Sequence, residues 1–338
     1  MIRRSIILCF FLSSLSVIYS QTDLDTSAAA IRNEYAVPDA PAFNILDEAA
    51  GSILKPTSVK QLAFNLSDFL GEDEKITLPR SFAVEVSPGL LIAGNKLTLK
   101  EYRDNSWLYR IRVSLATKRD STTGSASSLA LGIRGSISDD SDLRTNPEYI
   151  KEATGLAEKI VAAIDTMKPG TPQSEIDAKR EEIEQGFQNK WKNWSEEQWN
   201  ANIVEWAIAF SGDSRDSLAE DLKFNKVSAW LSGALKVGSW GQLVMGLNAY
   251  YQKLVNQNKY KSNLSAAARF YAGMNKLKIY MHLQAIGQES RQPVWVFHSG
   301  MEVKLQKGLW ADLYGGIQYG EEADNGKFIT DFKLKYEL

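Results

Sequence analysis

The sequence predicts an all-β chain: a transmembrane antiparallel up-and-down β-barrel of twelve strands, or of ten, with a helical hairpin insert and an N-terminal helix. Three observations predict this class. The last strand alternates strictly between apolar and charged residues, the same period recurs through most of the chain, and an export segment opens it. No partner layer is evident in the sequence. The apolar faces are therefore expected to contact lipid, and the polar faces to line an interior.

The C-terminal segment has the clearest pattern. Its even positions are apolar or small, and the odd positions that follow Ile329 are charged. A two-residue period is typical of a strand with two unlike faces. The even positions are Phe328, Thr330, Phe332, Leu334, Tyr336 and Leu338, and the odd ones are Asp331, Lys333, Lys335 and Glu337.

The N-terminus resembles a secretory signal peptide. Arg3 and Arg4 precede a short apolar run, and the small residue Ser20 stands before Gln21. We therefore predict that residues 1–20 are cleaved on export. The only cysteine, Cys9, lies in this segment, so a mature chain would have no thiol for a disulfide, a nucleophile or a metal.

Composition excludes several function classes. The chain has 39 basic and 41 acidic residues, which does not suggest nucleic-acid binding. With two histidines, a histidine-rich metal site is excluded, and we expect no metal and no cofactor. The mean hydropathy of −0.28 is too polar for a helical membrane protein. A barrel tolerates it, because only alternate residues face lipid.

Residues 21–80 are predicted to form an N-terminal periplasmic arm with one helix between Thr57 and Leu70. Apolar residues recur there at helical spacing, and this helix would plug the barrel, lie against its rim, or be a plain surface helix. The barrel is predicted over residues 81–338. Eleven candidate strands alternate there, and bacterial barrels usually have even numbers. The doubtful strand is 81–92, which Pro88 and Gly89 interrupt.

The alternation breaks over residues 142–200, where a helical insert is predicted. Asn146-Pro147 is a helix start, Lys168-Pro169-Gly170 is a stop, and Thr171-Pro172 is a second start. Counting back from the C-terminus, the connections alternate between long and tight. Outer-membrane barrels have their short turns on the periplasmic side. The insert connects strands at the same end as the tight turns, so we predict that it lies in the periplasm.

The polar positions of the strands supply the candidate lumen-lining residues. The functional interpretation is a charge-lined passage for small polar solutes, favouring anions because basic residues are in excess. The alternative is a salt-bridged, hydrated interior without a pore. These residues are Arg110, Arg112, Arg134, Arg269, Lys276, Lys278, His282, His298, Glu302, Lys304, Asp312, Asp331, Lys333 and Lys335.

Two smaller groups are also candidates. His282 and His298 are equidistant from Ser290, so they are expected to face each other across a hairpin. Trp191, Trp194 and Trp199 would anchor the insert at the membrane interface, dock a periplasmic partner, or pack the insert internally. Ser299 follows His298 but faces the other way. No nucleophile, base and orienting group come together, and we expect no enzyme.

Together these features resemble outer-membrane β-barrel proteins of Gram-negative bacteria, which are porin-like in architecture. The resemblance covers Ser81 to Leu338 apart from the insert, and such proteins commonly end in an aromatic residue, whereas this chain ends in Leu338. The stretches Ala40–Leu46 and Ser81–Pro88 resemble uncharacterised barrel proteins of the Bacteroidetes type, which implies no activity.

The resemblance implies a location in the bacterial outer membrane, with lipid as one partner. Two functions then compete. The chain either passes small polar solutes, or it anchors or assembles a periplasmic protein through its arm and insert.

Overall fold

One antiparallel sheet dominates the computed structural model of this protein, which describes residues 38, 40–46, 81–119, 127–168, 170–214, 218–254, 259–288, 292–306, 309–320 and 323–336. Each strand pairs with its neighbours in sequence, so the order is up-and-down from β1 to β11. The strands are β1 (Ser81–Val86), β2 (Arg112–Arg119), β3 (Ser127–Asp139), β4 (Ile203–Ser214), β5 (Lys223–Val237), β6 (Gly241–Leu254), β7 (Lys259–Met274), β8 (Leu277–Gln288), β9 (Val294–Gln306), β10 (Leu309–Gly320) and β11 (Ala323–Tyr336).

The prediction of an all-β, antiparallel, up-and-down sheet is confirmed. The described residues form eleven strands, and the predicted total of ten or twelve stays a prediction, because residues 47–80 lie outside those ranges. Within those ranges β1 and β11 are the two edge strands, and no pairing joins them. The doubtful segment 81–92 does begin as a strand, but β1 ends at Val86, because Pro88 starts a helix.

Short helices occupy the connection between β1 and β2, although Trp107, Tyr109 and Ile111 stand at alternate positions, as in a strand. Thr98 and Glu101 form a capping box, which starts the helix Leu99–Asp104. The helices of the sheet's first half are α1 (Pro41–Asn44), α2 (Pro88–Ala93), α3 (Leu99–Asp104) and α4 (Ser106–Tyr109).

The long connection between β3 and β4 contains α5 (Pro147–Thr154), α6 (Leu156–Asp165) and α7 (Gln173–Glu197). The Asn146 side chain accepts hydrogen bonds from the backbone N–H groups of Glu148 and Tyr149, which makes it the N-cap of α5. The segment between the first helix start and the stop at Lys168-Pro169-Gly170 was predicted as one helix, but it forms two helices that are separated at Gly155. We call residues 140–202 the insert. None of the described helices is long and apolar enough to cross a membrane.

Both helical connections lie at the same end of the sheet, which we call the helical end. The parity of the strands also places the turns 238–240 and 275–276 there. At the opposite end, β10 ends at Gly320 and β11 begins at Ala323. The sequence had indicated a longer loop over 320–327, but the β11 pairing extends back to Ala323.

The two faces of the sheet differ in burial: apolar side chains are exposed on one face, and polar side chains are buried on the other. One face, which we call the apolar face, leaves its large side chains exposed, and β1 is the exception, with Phe82 and Val84 buried. The other, the polar face, buries His282, His298 and Asp312. Exposed members of the apolar face include Leu131, Phe210, Leu231, Leu247, Leu264, Met281, Leu283, Phe297, Leu313, Phe328, Phe332 and Leu334.

Candidate functional site

The polar face of β1 to β5 is covered by the chain segment Ala40–Leu46, which contains α1. Phe43, Ile45 and Leu46 are buried there in one cluster with Trp230 of β5. The strands receive this segment on small side chains: Ala83, Ala116, Ala130, Ala207 and Ala209 belong to the same cluster. Alanines at these positions leave room for a second layer, and the seven-residue segment fills it.

Two hydrogen bonds fix the position of this segment. The backbone N–H of Ala42 donates to Ser114 Oγ at 3.1 Å, and Lys118 Nζ donates to the carbonyl oxygen of Leu46 at 3.3 Å. Gly132 lies directly beneath, since a Cβ atom on it would come within 2.6 Å of Ala42 N. We call residues 40–46 the plug segment.

The polar face of β7 to β11 carries a different filling, a continuous network of charged and aromatic side chains. Arg269 Nε donates to His282 Nδ1 at 3.3 Å, and its guanidinium lies 4.4 Å from the centroid of the Tyr280 ring. The Tyr280 hydroxyl reaches over β9 and donates to Asp312 Oδ1 on β10 at 2.8 Å. Gly300 makes this crossing possible, because a Cβ atom there would lie 2.8 Å from Tyr280 Cζ.

The network continues to the edge strand. His282 pairs with His298 in register, as the sequence symmetry predicted, and their ring centroids are 4.5 Å apart. His298 in turn lies 4.7 Å from the ring of Tyr314, whose hydroxyl donates to Asp331 Oδ2 on β11 at 3.0 Å. Among the described residues, no cluster of three or more histidine, cysteine, aspartate or glutamate side chains could hold a metal ion.

A third cluster joins the two helical connections. Asp142, at the start of the insert, accepts hydrogen bonds from the Tyr102 hydroxyl at 2.8 Å, from Arg110 Nε at 3.2 Å and from Arg144 Nε at 2.8 Å. The Arg144 guanidinium also lies 4.1 Å above the Tyr102 ring, and Tyr109 stacks on that ring at 5.5 Å. We call Tyr102, Arg110, Asp142 and Arg144 the clamp.

The clamp shifts the protonation of its own members. Burial alone would raise the pKa of Asp142, but the hydrogen bonds from Arg144 and Tyr102 outweigh it, and the pKa is lowered below its usual value. Burial, followed by the hydrogen bond to Asp142, raises the pKa of Tyr102 to about 12. Asp142 is therefore ionised and Tyr102 protonated at neutral pH, which keeps the hydrogen bond between them intact.

The C-terminal end of the insert is anchored on the tight turns of the sheet. Asn200 is buried, and its Nδ2 donates to the carbonyl oxygens of Gly238 at 3.0 Å and Gly241 at 2.9 Å. The centroid of the Trp199 ring lies 4.9 Å from Lys278 Nζ on β8. The same Nζ atom lies 4.8 Å from the centroid of the Trp310 ring on β10. The insert is thus attached to the sheet at both ends.

Most predicted lumen residues lie on the polar face, but two do not. Arg110 follows α4 and belongs to the clamp, because the chain is still helical at Tyr109. Lys276 is in the tight turn between β7 and β8 and is exposed. Lys335 lies on β11, but its side chain is outside the described residues. On the polar face are Arg112, Arg134, Arg269, Lys278, His282, His298, Glu302, Lys304, Asp312, Asp331 and Lys333.

The three tryptophans of the predicted interaction group lie in different surroundings. Trp191 is 3% exposed, and its Nε1 donates to Glu152 Oε2 at 3.1 Å between α5 and α7. Its ring contacts Tyr149 edge-on at 5.2 Å and Trp194 at 6.0 Å. Trp191 therefore packs the insert internally, whereas Trp199 contacts the sheet.

No protein-family model matches the chain, and no curated protein matches it in sequence. The interpretation therefore depends on the geometry.

Several residues of the site were missed from the sequence. Glu85, Tyr280, Tyr314 and the plug segment were not among the candidates. A signal for the plug did exist in the alanines that recur on the polar positions of β1 to β4, since a solvated interior does not require small residues. The predicted helix over 57–70 and the signal peptide lie outside the described residues.

Proposed function

We propose that this protein is an outer-membrane β-barrel with a filled interior, which holds its helical end in the periplasm as a docking platform for a protein partner. The first support is the exposed apolar face. Fully burying one such side chain is worth roughly 1.5–3 kcal/mol, so a continuous exposed face is unfavourable in water and favourable in lipid.

The dimensions and the aromatic residues support the same environment. Tyr251, Tyr260, Trp295 and Tyr319 are exposed near the opposite end of four strands, and Trp240 is exposed at the helical end. On β9, Trp295 and Leu305 are ten positions apart. At about 3.4 Å per residue and a tilt near 40°, the strand spans roughly 26 Å, close to the apolar band of about 25 Å in outer-membrane barrels.

The proposed barrel requires that the sheet close between its two edge strands, β1 and β11. An unpaired strand edge is not viable in lipid, so we propose that β1 and β11 meet in the membrane. Both are odd-numbered strands of an up-and-down sheet and run in the same direction, so a direct pair would be parallel.

The observation that carries the functional choice is the filled polar face. The plug segment covers the first five strands, and the network from Arg269 to Asp331 covers the last five. A water-filled channel would leave these groups in solvent. We therefore favour the anchoring function over solute passage, although the charged groups on the polar face are what the passage hypothesis requires.

Planar-bilayer recording of the purified full-length protein tests this choice. We expect no stable conductance steps from preparations that are heat-modifiable on gels and therefore folded. Stable ohmic steps from the same preparations would support passage of solutes and contradict the filled interior.

A deletion tests the platform. Removing residues 147–197 takes out α5 to α7 but keeps Asp142 and Asn200, the two attachments of the insert. In the full-length protein, we expect photoreactive residues on α6 and α7 to form periplasmic crosslinks to a partner. We expect the deletion variant to remain a heat-modifiable barrel that no longer copurifies with that partner. The same photoreactive residue near Tyr319, at the opposite end, is the matched control and should form no periplasmic crosslink. Equal crosslinking from both ends would contradict the proposed sidedness.

A further inference from the structure

A small polar pocket lies at the helical end, between the clamp and the polar face. Its volume is about 180 Å³. That is below the roughly 300–1,000 Å³ of pockets for drug-sized ligands, and it limits an occupant to a small group. The lining residues are Tyr109, Arg110, Arg112, Arg134, Gly135, Ser136, Asp139, Asp142, Arg144 and Glu205.

The carboxylates around this pocket are already engaged. Asp142 is held by the clamp, and Asp139 Oδ1 accepts a hydrogen bond from the backbone N–H of Ser141 at 2.9 Å. Glu85, beneath the pocket, accepts from Arg134 Nε at 2.9 Å and from Arg134 Nη2 at 3.0 Å. These three carboxylates therefore have little capacity left to bind a cation. The fourth carboxylate, Glu205, is half-buried in the pocket lining and accepts a hydrogen bond from Ser136 Oγ at 3.4 Å.

Two of the arginines are engaged less completely. Arg112 Nη1 comes no closer than 3.8 Å to Glu85 Oε1, which is an ion pair without a hydrogen bond. Arg144 uses Nε and Nη2 on Asp142, which leaves its Nη1 outside that pair of bonds. Since a guanidinium has five N–H donors, both arginines retain donors for a ligand.

Burial also separates the two signs of charge. The side chains of Arg112 and Arg144 are 41% and 44% exposed, whereas those of Glu85 and Asp142 are 0% and 5% exposed. A solute that enters the pocket therefore meets the guanidinium groups of Arg112 and Arg144, while Glu85 and Asp142 lie behind them. Planar guanidinium groups match the oxygen pairs of carboxylates and phosphates.

We propose that this pocket binds a small oxyanion, a phosphate or carboxylate group, between Arg112 and Arg144. The inference does not depend on the membrane location or on the docking function, because it concerns a pocket within the folded chain. Calorimetry on the purified protein therefore tests it separately from the conductance experiment.

The experiment is isothermal titration calorimetry of the full-length protein in detergent at pH 7, with inorganic phosphate in one arm and succinate in the other. We expect saturable binding to one site, weakened by added sodium chloride through screening. Arg112→Gln should weaken binding about tenfold or more, because a charge-assisted hydrogen bond is lost. Arg144→Gln is the second variant, in case Arg112→Gln does not fold.

Arg103→Gln is the matched control. Arg103 is 42% exposed and pairs with Asp104, away from the pocket, so its loss should leave binding unchanged. Tighter binding of phosphate than of succinate assigns the site to phosphate groups, and the reverse order assigns it to carboxylates. The proposal is overturned if neither anion binds saturably to the wild type, or if folded Arg112→Gln and Arg144→Gln both bind as the wild type does.

Discussion

Gly132 offers the sharpest test of the plug segment. A Cβ atom at this position would lie 2.6 Å from Ala42 N, 2.8 Å from Ser114 Oγ and 2.9 Å from Pro41 Cβ. The first of these is a backbone atom, so it cannot rotate away as a side chain could. In Gly132→Ala the plug segment must therefore move, and the hydrogen bond from Ala42 to Ser114 is stretched or lost.

The magnitude follows from these two losses. Overpacking costs about 1–3 kcal/mol, and a buried hydrogen bond is worth about 0.5–1.5 kcal/mol, which together give roughly 1.5–4.5 kcal/mol. At about 1.4 kcal/mol per factor of ten, the docked plug becomes roughly 10- to 1,600-fold less favoured. The sheet itself should persist, because the strand hydrogen bonds are untouched.

Cysteine accessibility measures the change. Leu46→Cys in a Cys9→Ser background gives a single thiol on the plug segment, where Leu46 is 8% exposed. We expect slow maleimide labelling of this thiol in the parent and much faster labelling after Gly132→Ala. Gly233→Ala is the matched control, because the nearest atom to its added Cβ is 4.0 Å away. Protection of the thiol that survives Gly132→Ala would refute the steric argument.

The remaining predictions concern the faces, the clamp and the network. Met281→Arg, midway along β8 on the apolar face, should lower the free energy of unfolding in detergent or lipid by about 2–4 kcal/mol. Leu305→Arg, at the end of β9, should lower it by only about 0–1 kcal/mol. Equal costs at the two positions would contradict a bilayer around the sheet. Asp142→Asn should cost about 3–5 kcal/mol at neutral pH by leaving two arginines without their anion. The pKa of Asp142 in the folded protein lies below its usual value of 3.8, so this stabilisation is present above pH 3.8 and is lost as the pH falls through the lowered pKa. The difference in thermal unfolding between wild type and variant should therefore shrink below about pH 4. Gly300→Ala should cost about 1–3 kcal/mol, because its added Cβ would lie 2.5 Å from the Leu313 carbonyl oxygen and 2.8 Å from Tyr280 Cζ. Gly315→Ala, with no atom nearer than 3.8 Å, should be nearly neutral in the same unfolding assay.

The strands could be predicted from the sequence because the face on which a strand residue lies depends on its immediate neighbours along the chain. Alternation depends only on the two-residue period, so β3 to β11 and their apolar faces could be found without contacts. The hairpin symmetry that paired His282 with His298 has the same origin. The start of α5 was also readable, because Asn146 and Pro147 act on their own backbone.

The parts that failed are those where distant residues decide. Tyr109 alternates with its neighbours as a strand residue would, but it lies in α4 and its connection is held by residues far along the chain. Ser87 Oγ donates to the Tyr109 carbonyl oxygen at 2.9 Å, and Arg110 Nε donates to Asp142 Oδ2 at 3.2 Å. The plug segment is separated from Ser114 by about seventy positions, and its polar partner carries no local mark. Likewise, the donors around Arg112 became visible only when the insert brought Asp142 and Arg144 beside the strands.

The attachments of the insert differ in strength, and this difference bears on how a docked partner would act. At its start, the clamp buries an ionised carboxylate among two guanidinium groups and a hydroxyl, and breaking it costs several kcal/mol. At its end, Trp199 contacts Lys278 by a cation–π interaction worth about 0.5–2 kcal/mol. The buried Asn200 also donates hydrogen bonds to the carbonyl oxygens of Gly238 and Gly241, worth about 0.5–1.5 kcal/mol each. A partner that pulls on the insert would therefore release Trp199 before Asn200 or the clamp. Lys278 would keep its contact with Trp310, so the network on β7 to β11 would not change.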